Sequence, residues 1–263
     1  MTEAIHAVAT IIGSQVVLVS FGILFGGGVL GIAIGQMLPK HYLGEETLAM
    51  VRAAMGTLSI LSALVLGFLI NSAKTKFESV SVQIEQFASD LTILDRELRH
   101  LGPDASETRD LLRRYTAAKV TALWPAQHGR PTFDDSASLQ LMDQFQARLR
   151  RLTPKTDEER ESLADANVAA DEVVKITWRQ IALGANTFSH PFLLIVQVWL
   201  GILFFSWGLF APRNTIVIGA MFLCAVTIAI TVMVTEDFDR PFEGIVTVSP
   251  KPVEDALTRM SAP

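Results

Sequence analysis

Cys224 is the only cysteine among 263 residues, so no disulfide can form within the chain. It lies midway along an apolar run, where it reads as a small packing residue. The five histidines, at positions 6, 41, 100, 128 and 190, show neither HExxH nor any other paired metal-ligand spacing. There is no GxSxG, no Walker A run and no dinucleotide fingerprint; Gly26-Gly27-Gly28 sits in an apolar segment without a lysine and is no phosphate loop. These absences make an enzyme the least supported class, and they assign no catalytic residue and no cofactor. The net charge of −5, with no basic stripe, argues against nucleic acid as a partner.

Charge itself is missing from long stretches. The runs Ala4–Pro39, Ala53–Ala73, Ser189–Pro212 and Asn214–Thr235 contain no Asp, Glu, Lys or Arg. Each is long enough to cross a hydrocarbon layer, which takes roughly 20 apolar residues. Of the 22 Lys and Arg residues, 16 fall between positions 74 and 190. The expectation is an all-α membrane protein: four transmembrane helices, with a helical cytoplasmic insertion between spans two and three. Residues 1–73 would hold spans one and two, 74–188 the insertion, 189–235 spans three and four, and 236–263 an exit motif with a short helix. A cleaved signal peptide fits poorly, since the N-terminus carries Glu3 without Lys or Arg and the apolar run is too long.

Span one is rich in glycine. Gly22 and Gly26 form one small-xxx-small pair, and Gly27, Gly31 and Gly35 form a second ladder, the spacing that lets another helix backbone approach closely. Spacing alone leaves open whether that backbone belongs to the same chain or to an identical subunit. Phe77, Val80, Ile84, Phe87, Leu91, Leu94, Leu98 and Leu101 then follow an unbroken 3,4 rhythm, a heptad seam of coiled-coil type that continues span two into water as one long helix. Gly102-Pro103 ends it. Asp104 with Glu107 reads as a capping box for a helix to about Trp124, Pro154 closes the next helix, and Thr156 with Glu159 caps a third. The acidic groups Asp134-Asp135 and Asp157-Glu158-Glu159 fall at helix starts, where negative charge is favourable.

Ala211-Pro212-Arg213-Asn214 is so short that spans three and four should pair as an antiparallel hairpin. By parity, the termini and residues 74–188 share one side of the bilayer. Lys74, Lys76, Arg179 and Arg240 against Lys40 and Arg213 make that side cytoplasmic, the protein then residing in a plasma (inner) membrane. Thr57, Ser59, Ser62, Asn71 and Ser72 on span two, with Thr227 and Thr231 on span four, could line an aqueous path, although Ser and Thr in membrane helices more often bond back to their own backbone. The spans hold no ionisable residue but His190 at an edge, which argues against a proton-coupled carrier.

The last span leads into Glu236-Asp237-Phe238-Asp239-Arg240-Pro241-Phe242-Glu243-Gly244. Three carboxylates crowd the negative end of a helix dipole and require a cation: Arg240, a base from elsewhere, or a metal ion. Pro241 stops the helix and Gly244 permits a turn; Ile245–Val248 is β-prone, and Ser249-Pro250 reads as an N-cap with a first-turn proline. The corner is therefore expected to be either structural or a cation site, its metal unknown.

This run, with Val248-Ser249-Pro250 after it, resembles the C-terminal signature of a bestrophin-like domain family of unknown function, and the layout of spans and insertion is similar over nearly the whole chain. Bestrophins proper are pentameric calcium-gated anion channels with cytoplasmic termini and a long second helix lining the pore. The resemblance implies a homo-oligomer in the lipid bilayer and an anion channel. It carries over no pore residue: residues 155–190 hold no acidic calcium-clasp run of their kind, and span two lacks their aromatic neck. The alternative is a non-conducting anchor that presents a helical cytoplasmic domain to a protein partner.

Overall fold

The computed structural model describes residues 15–37, 44–125, 131–185, 190–212, 214–243 and 245–261. Among them every regular element is helical: α1 (Gln15–Gly35), α2 (Glu45–His100), a 3-10 turn (Gly102–Ala105), α3 (Ser106–Leu123), α4 (Ser136–Leu149), α5 (Asp157–Ala185), α6 (His190–Leu209), α7 (Thr215–Asp239) and α8 (Lys251–Ser261). The chain packs as two compact units. One combines Met1–Lys76 with Phe188–Arg240, the other Phe77–Thr187 with Pro241–Pro263.

In the first unit, α1 packs on α6 and on α7. Leu24, Val196, Leu200, Phe204, Met221 and Ala225 are its buried centre, and Val65, Leu66 and Leu69 of α2 lean against it. Among the described residues three helices are long and apolar enough to cross a membrane: α1, α2 from Leu48 onward, and α7; the apolar stretch Leu194–Leu209 of α6 is shorter. Asn214 caps α7, its Oδ1 accepting from Ile216 N at 3.1 Å.

The second unit is built on the 3,4 seam of α2. Val80, Ile84, Phe87, Leu91, Leu94, Leu98 and Leu101 are all buried in one core with residues of α3, α4, α5 and α8, and Phe77 packs at its edge. The α2 helix runs 56 residues without a break and ends before Gly102, whose φ of 72° is a left-handed conformation that glycine adopts at little cost. Polar groups fix the core as well. Asp95 accepts from Arg99 Nε at 2.9 Å and from Arg109 Nε at 3.0 Å, while Arg99 Nη2 donates to the Arg259 carbonyl at 2.8 Å, tying α3 and α8 to α2. Thr177 Oγ1 donates to the Val173 carbonyl, so Tyr115 Oη is the donor in its 2.7 Å bond to Thr177; burial pushes the Tyr115 hydroxyl pKa up.

Four local expectations need correction. Asp104 and Glu107 form no capping box: α3 starts at Ser106 after Ala105, with no side-chain cap, because the 3-10 turn has displaced the helix start. Asp104 instead pairs with Lys155, and Glu107 with Arg148, whose guanidinium holds the Glu107 carboxyl below its usual range. At the start of α5, Thr156 Oγ1 does accept from Glu159 N at 3.1 Å, but the Glu159 carboxylate takes Lys155 N and not the N–H of Thr156. Ile245–Val248 forms no strand in the described residues; Val248 N bonds to the Pro241 carbonyl at 2.7 Å instead. Pro250 stands just before α8, its carbonyl taking the first helical bond from Glu254 N, while Ser249 Oγ accepts from Lys251 N at 3.3 Å. The acidic start of α4 does act as expected, Asp135 accepting from Ser138 N at 2.9 Å.

Candidate functional site

Three features of the first unit and one of the second bear on function. The first is the apolar half of α2, which is the least covered of the three candidate spans. Val65, Leu66 and Leu69 supply its inward stripe. The opposite stripe has Ile60, Leu64 and Phe68, exposed to 72%, 70% and 68%, and is continued by Thr57 at one end and by Asn71 and Thr75 at the other. Steps of three and four residues put all six on one helix face. No acid or base lies between Arg52 and Lys74, so this face is uncharged along its length and basic residues flank it in the sequence.

The hydroxyls named as path-lining are mostly engaged within their own helices. Thr57 donates to Ala53 O at 3.1 Å, Ser59 to Met55 O at 2.8 Å, Thr227 to Leu223 O at 2.9 Å and Thr231 to Thr227 O at 2.9 Å. Ser62 is buried with no partner for its Oγ, and Asn71 and Ser72 are exposed. The bare stripe therefore presents methyl groups and one aromatic ring more than hydroxyl donors. Amphipathic periodicity cannot single out such a stripe, because span two is apolar on every face.

The glycine ladder meets α6 of the same chain. A Cβ on Gly27 would stand 3.1 Å from the Gly201 carbonyl oxygen. On Gly31 it would collide with the Phe205 carbonyl oxygen, on Gly35 with that of Leu209, and on Gly208 of α6 with that of Gly28. A Cβ on Gly22 or Gly26 would have nothing within 4 Å among the described residues. The two ladders thus differ: one is a backbone-to-backbone seam, the other open surface.

The exit corner ends α7 with matched charges. Glu236 pairs with Arg240 at 3.0 Å, four residues on, and Asp239 pairs with Lys76 of α2 at 3.3 Å. Lys76 Nζ also reaches the Asp239 backbone carbonyl at 3.4 Å, so one ammonium serves both the carboxylate and the negative helix end. Arg240 N bonds to the Asp237 carbonyl at 3.1 Å, and Asp237 has interactions of its own. Among the described residues no cluster of three or more acids, histidines or cysteines is arranged to hold a metal ion.

The residues after Arg240 belong to the second unit. Phe242 is buried there between Trp124 and Phe133, with ring centroids at 5.3 and 5.5 Å, and Trp124 Nε1 donates to the Val248 carbonyl at 2.8 Å. Gly244 lies outside the described residues. Beneath Phe133 is Lys119, with no exposed surface, donating from Nζ to the Phe133 carbonyl at 3.0 Å. Burial lowers its pKa to about 8 against the opposing pull of Asp135 and Asp134. Sequence reasoning passed over Lys119, although it follows Leu112 and Tyr115 on the apolar face of α3 and precedes Leu123 there.

Taken together, the described residues form the fold of an all-helical membrane protein. Residues 17–253 match the bestrophin-like domain, and the chain belongs to that family. Solved structures share the fold. A variant of a bacterial bestrophin homologue from Klebsiella pneumoniae superposes with a TM-score of 0.68 at 14% identity, covering 93% of this chain and 98% of its own. A second structure of that homologue gives 0.65 at 15%, covering 89% and 97%. A structure described only as a membrane protein variant gives 0.69 at 14%, covering 93% and 98%. No curated protein matches the chain.

Proposed function

We propose that this protein is a four-span homo-oligomer in a plasma (inner) membrane, with both termini and residues 74–188 on the cytoplasmic side, and that it conducts anions along α2. The observation that carries the reading is the uncovered, uncharged stripe of Ile60, Leu64 and Phe68. Copies of α2 around a common axis would make three successive apolar rings of it, the kind of constriction that gates by dewetting, while Arg52 and Lys74 near its ends favour anions over cations. Leu194–Leu209, extended back to His190, supplies the fourth span. The exit corner is in this reading structural: Lys76 and Arg240 supply the cations that Asp239 and Glu236 require.

Purified protein in liposomes should pass chloride or nitrate and exclude potassium, and Phe68→Ala should raise that anion flux severalfold by widening a ring. Protein that is oligomeric and folded, yet passes no ion as wild type or as Phe68→Ala, sinks the channel reading. That outcome would favour the anchor, for which the exposed Val168 and Trp178 on α5 offer a partner surface.

A further inference from the structure

The seam between α2 and α5 holds buried polar groups that the core of the second unit leaves unmatched. The two helices run antiparallel there: Lys155, just before α5, bonds Asp104, just after α2, and the charge of Glu172 on α5 acts on Asp90 of α2. Tyr115 sets the same register, stacking on Phe87 at 6.4 Å and bonding Thr177 at 2.7 Å. Gln83, one turn before Phe87, and Gln180, about one turn after Thr177, therefore stand at one level. Gln180 is only 1% exposed, and among the described residues neither its Oε1 nor its Nε2 has a hydrogen-bond partner. Gln83 Oε1 is buried without one as well. Buried polar atoms left unpaired cost stability, so the seam is closed at a disadvantage.

Asp90 shows what relieves it. Its side chain is buried; Oδ1 accepts from Gln86 Nε2 at 2.8 Å, while Oδ2 has no partner among the described residues. The other two buried acids of α2 are matched by bases, Asp95 by Arg99 and Arg109, and Glu97 by Arg96. From α5 the facing group is Glu172, which repels Asp90 and already takes Lys175 at 2.6 Å; Asp165 and Arg179, both exposed, lie two turns to either side of it. From α3 the inward group is the neutral Tyr115 hydroxyl, which is engaged with Thr177. Burial, with the Glu172 charge adding to it, pushes the Asp90 carboxyl pKa up against the opposing Gln86 bond. A proton on Oδ2 cancels the repulsion and turns an unpartnered acceptor into a donor.

We propose that Asp90 and Glu172 form a proton-operated clasp between α2 and α5, in which protonated Asp90 Oδ2 donates a hydrogen bond to the Glu172 carboxylate. With the proton bound, that bond holds the seam; without it, like charges face each other and the helices part more readily. Control of the Ile60, Leu64 and Phe68 path by pH rests on the channel reading, whereas the clasp does not. The test is melting of the purified full-length protein at pH 7.5 and pH 4.5. A carboxyl whose folded pKa is raised lends stability below its unfolded value, about 3.9, and that stability is lost as pH rises through the folded value. Asp90→Asn keeps the size and the acceptor for Gln86 and places an N–H where the proton would be. It should raise the melting temperature by about 2–4 °C at pH 7.5 and by less at pH 4.5. Glu172→Gln removes the opposing charge, its bond to the half-exposed Lys175 being worth little, and should give a smaller gain of the same pH dependence. That variant decides if Asp90→Asn does not fold. A lower or unchanged melting temperature of either folded variant at pH 7.5, or an equal gain at the two pH values, overturns the clasp. So does a wild-type melting rise with millimolar calcium or magnesium that Asp90→Asn abolishes, which makes Asp90 a cation ligand instead.

Discussion

Lys119 has no exposed surface, a rare state for an ammonium group, and one carbonyl is the hydrogen-bond partner its Nζ has been given. Its folded pKa of about 8 is below the 10.5 of a free lysine. Between those values the unfolded chain binds more protons than the folded one, so stability rises with pH there, is greatest above the unfolded value, and is lost as pH falls through 8. The full shift is worth about 3 kcal/mol, an order-of-magnitude figure. Melting of the wild type should therefore rise from pH 7 to pH 9, before Tyr115, whose raised pKa acts in the opposite sense, contributes above pH 10. Lys119→Met should flatten that rise; an unchanged slope in the variant would show that Lys119 is not its source. The sequence hid this residue because a lysine is ordinarily solvated, and only its register with Leu112, Tyr115 and Leu123 on the buried face of α3 marks it.

At the scale of elements, periodicity was the reliable signal and local capping the weak one. The seam from Val80 to Leu101 could be read from spacing because burial follows the helix repeat, and every one of its members is in the core. The Asp104 and Glu107 pattern misled because a 3-10 turn after Gly102 consumes the residues a capping box needs, and distant bases then claim both carboxylates. The glycine ladders show a third case, in which spacing announces a close approach without naming the partner. The structure provides one on α6 for Gly27, Gly31 and Gly35 and, among the described residues, none within 4 Å of a Cβ at Gly22 or Gly26. Gly31→Ala should therefore lower folded yield in detergent, by at least the 1–3 kcal/mol typical of overpacking, since the obstacle is backbone and cannot rotate away. Gly26→Ala should be silent in the same expression and gel-filtration assay. Equal yields from the two variants would reject the seam.

On the scale of the whole molecule, the Lys76–Asp239 pair joins positions 163 residues apart in the chain. Both side chains are partly covered, at 34% and 16%, so the pair is worth about 1 kcal/mol, near the upper end for ion pairs that still see solvent. Asp239→Asn should lower the melting temperature modestly, and Lys76→Met somewhat more, because it also removes the bond to the Asp239 carbonyl; the double variant should melt no lower than Lys76→Met alone, since both changes remove the shared ion pair. If the corner is held by these bases, wild-type protein melts alike in chelator and in millimolar calcium or magnesium. A rise with divalent ion that Asp239→Asn abolishes would instead reveal a cation site. Three carboxylates at a helix end announced in the sequence that a cation was needed; Arg240, four residues after Glu236, was legible, whereas Lys76 was not, because it comes from another helix.

The seam between α1 and α6 also has a consequence in time. Gly31 makes its contact with Phe205, which the ribosome reaches 174 residues later. At a synthesis rate of about 5–20 residues per second, the groove on α1 waits roughly 9–35 s for the helix that fills it. Throughout that interval a glycine-lined surface with backbone within easy reach stands open in the lipid. Any other small-residue helix inserted nearby competes for it, so correct assembly of this chain depends on how quickly its own second half follows the first.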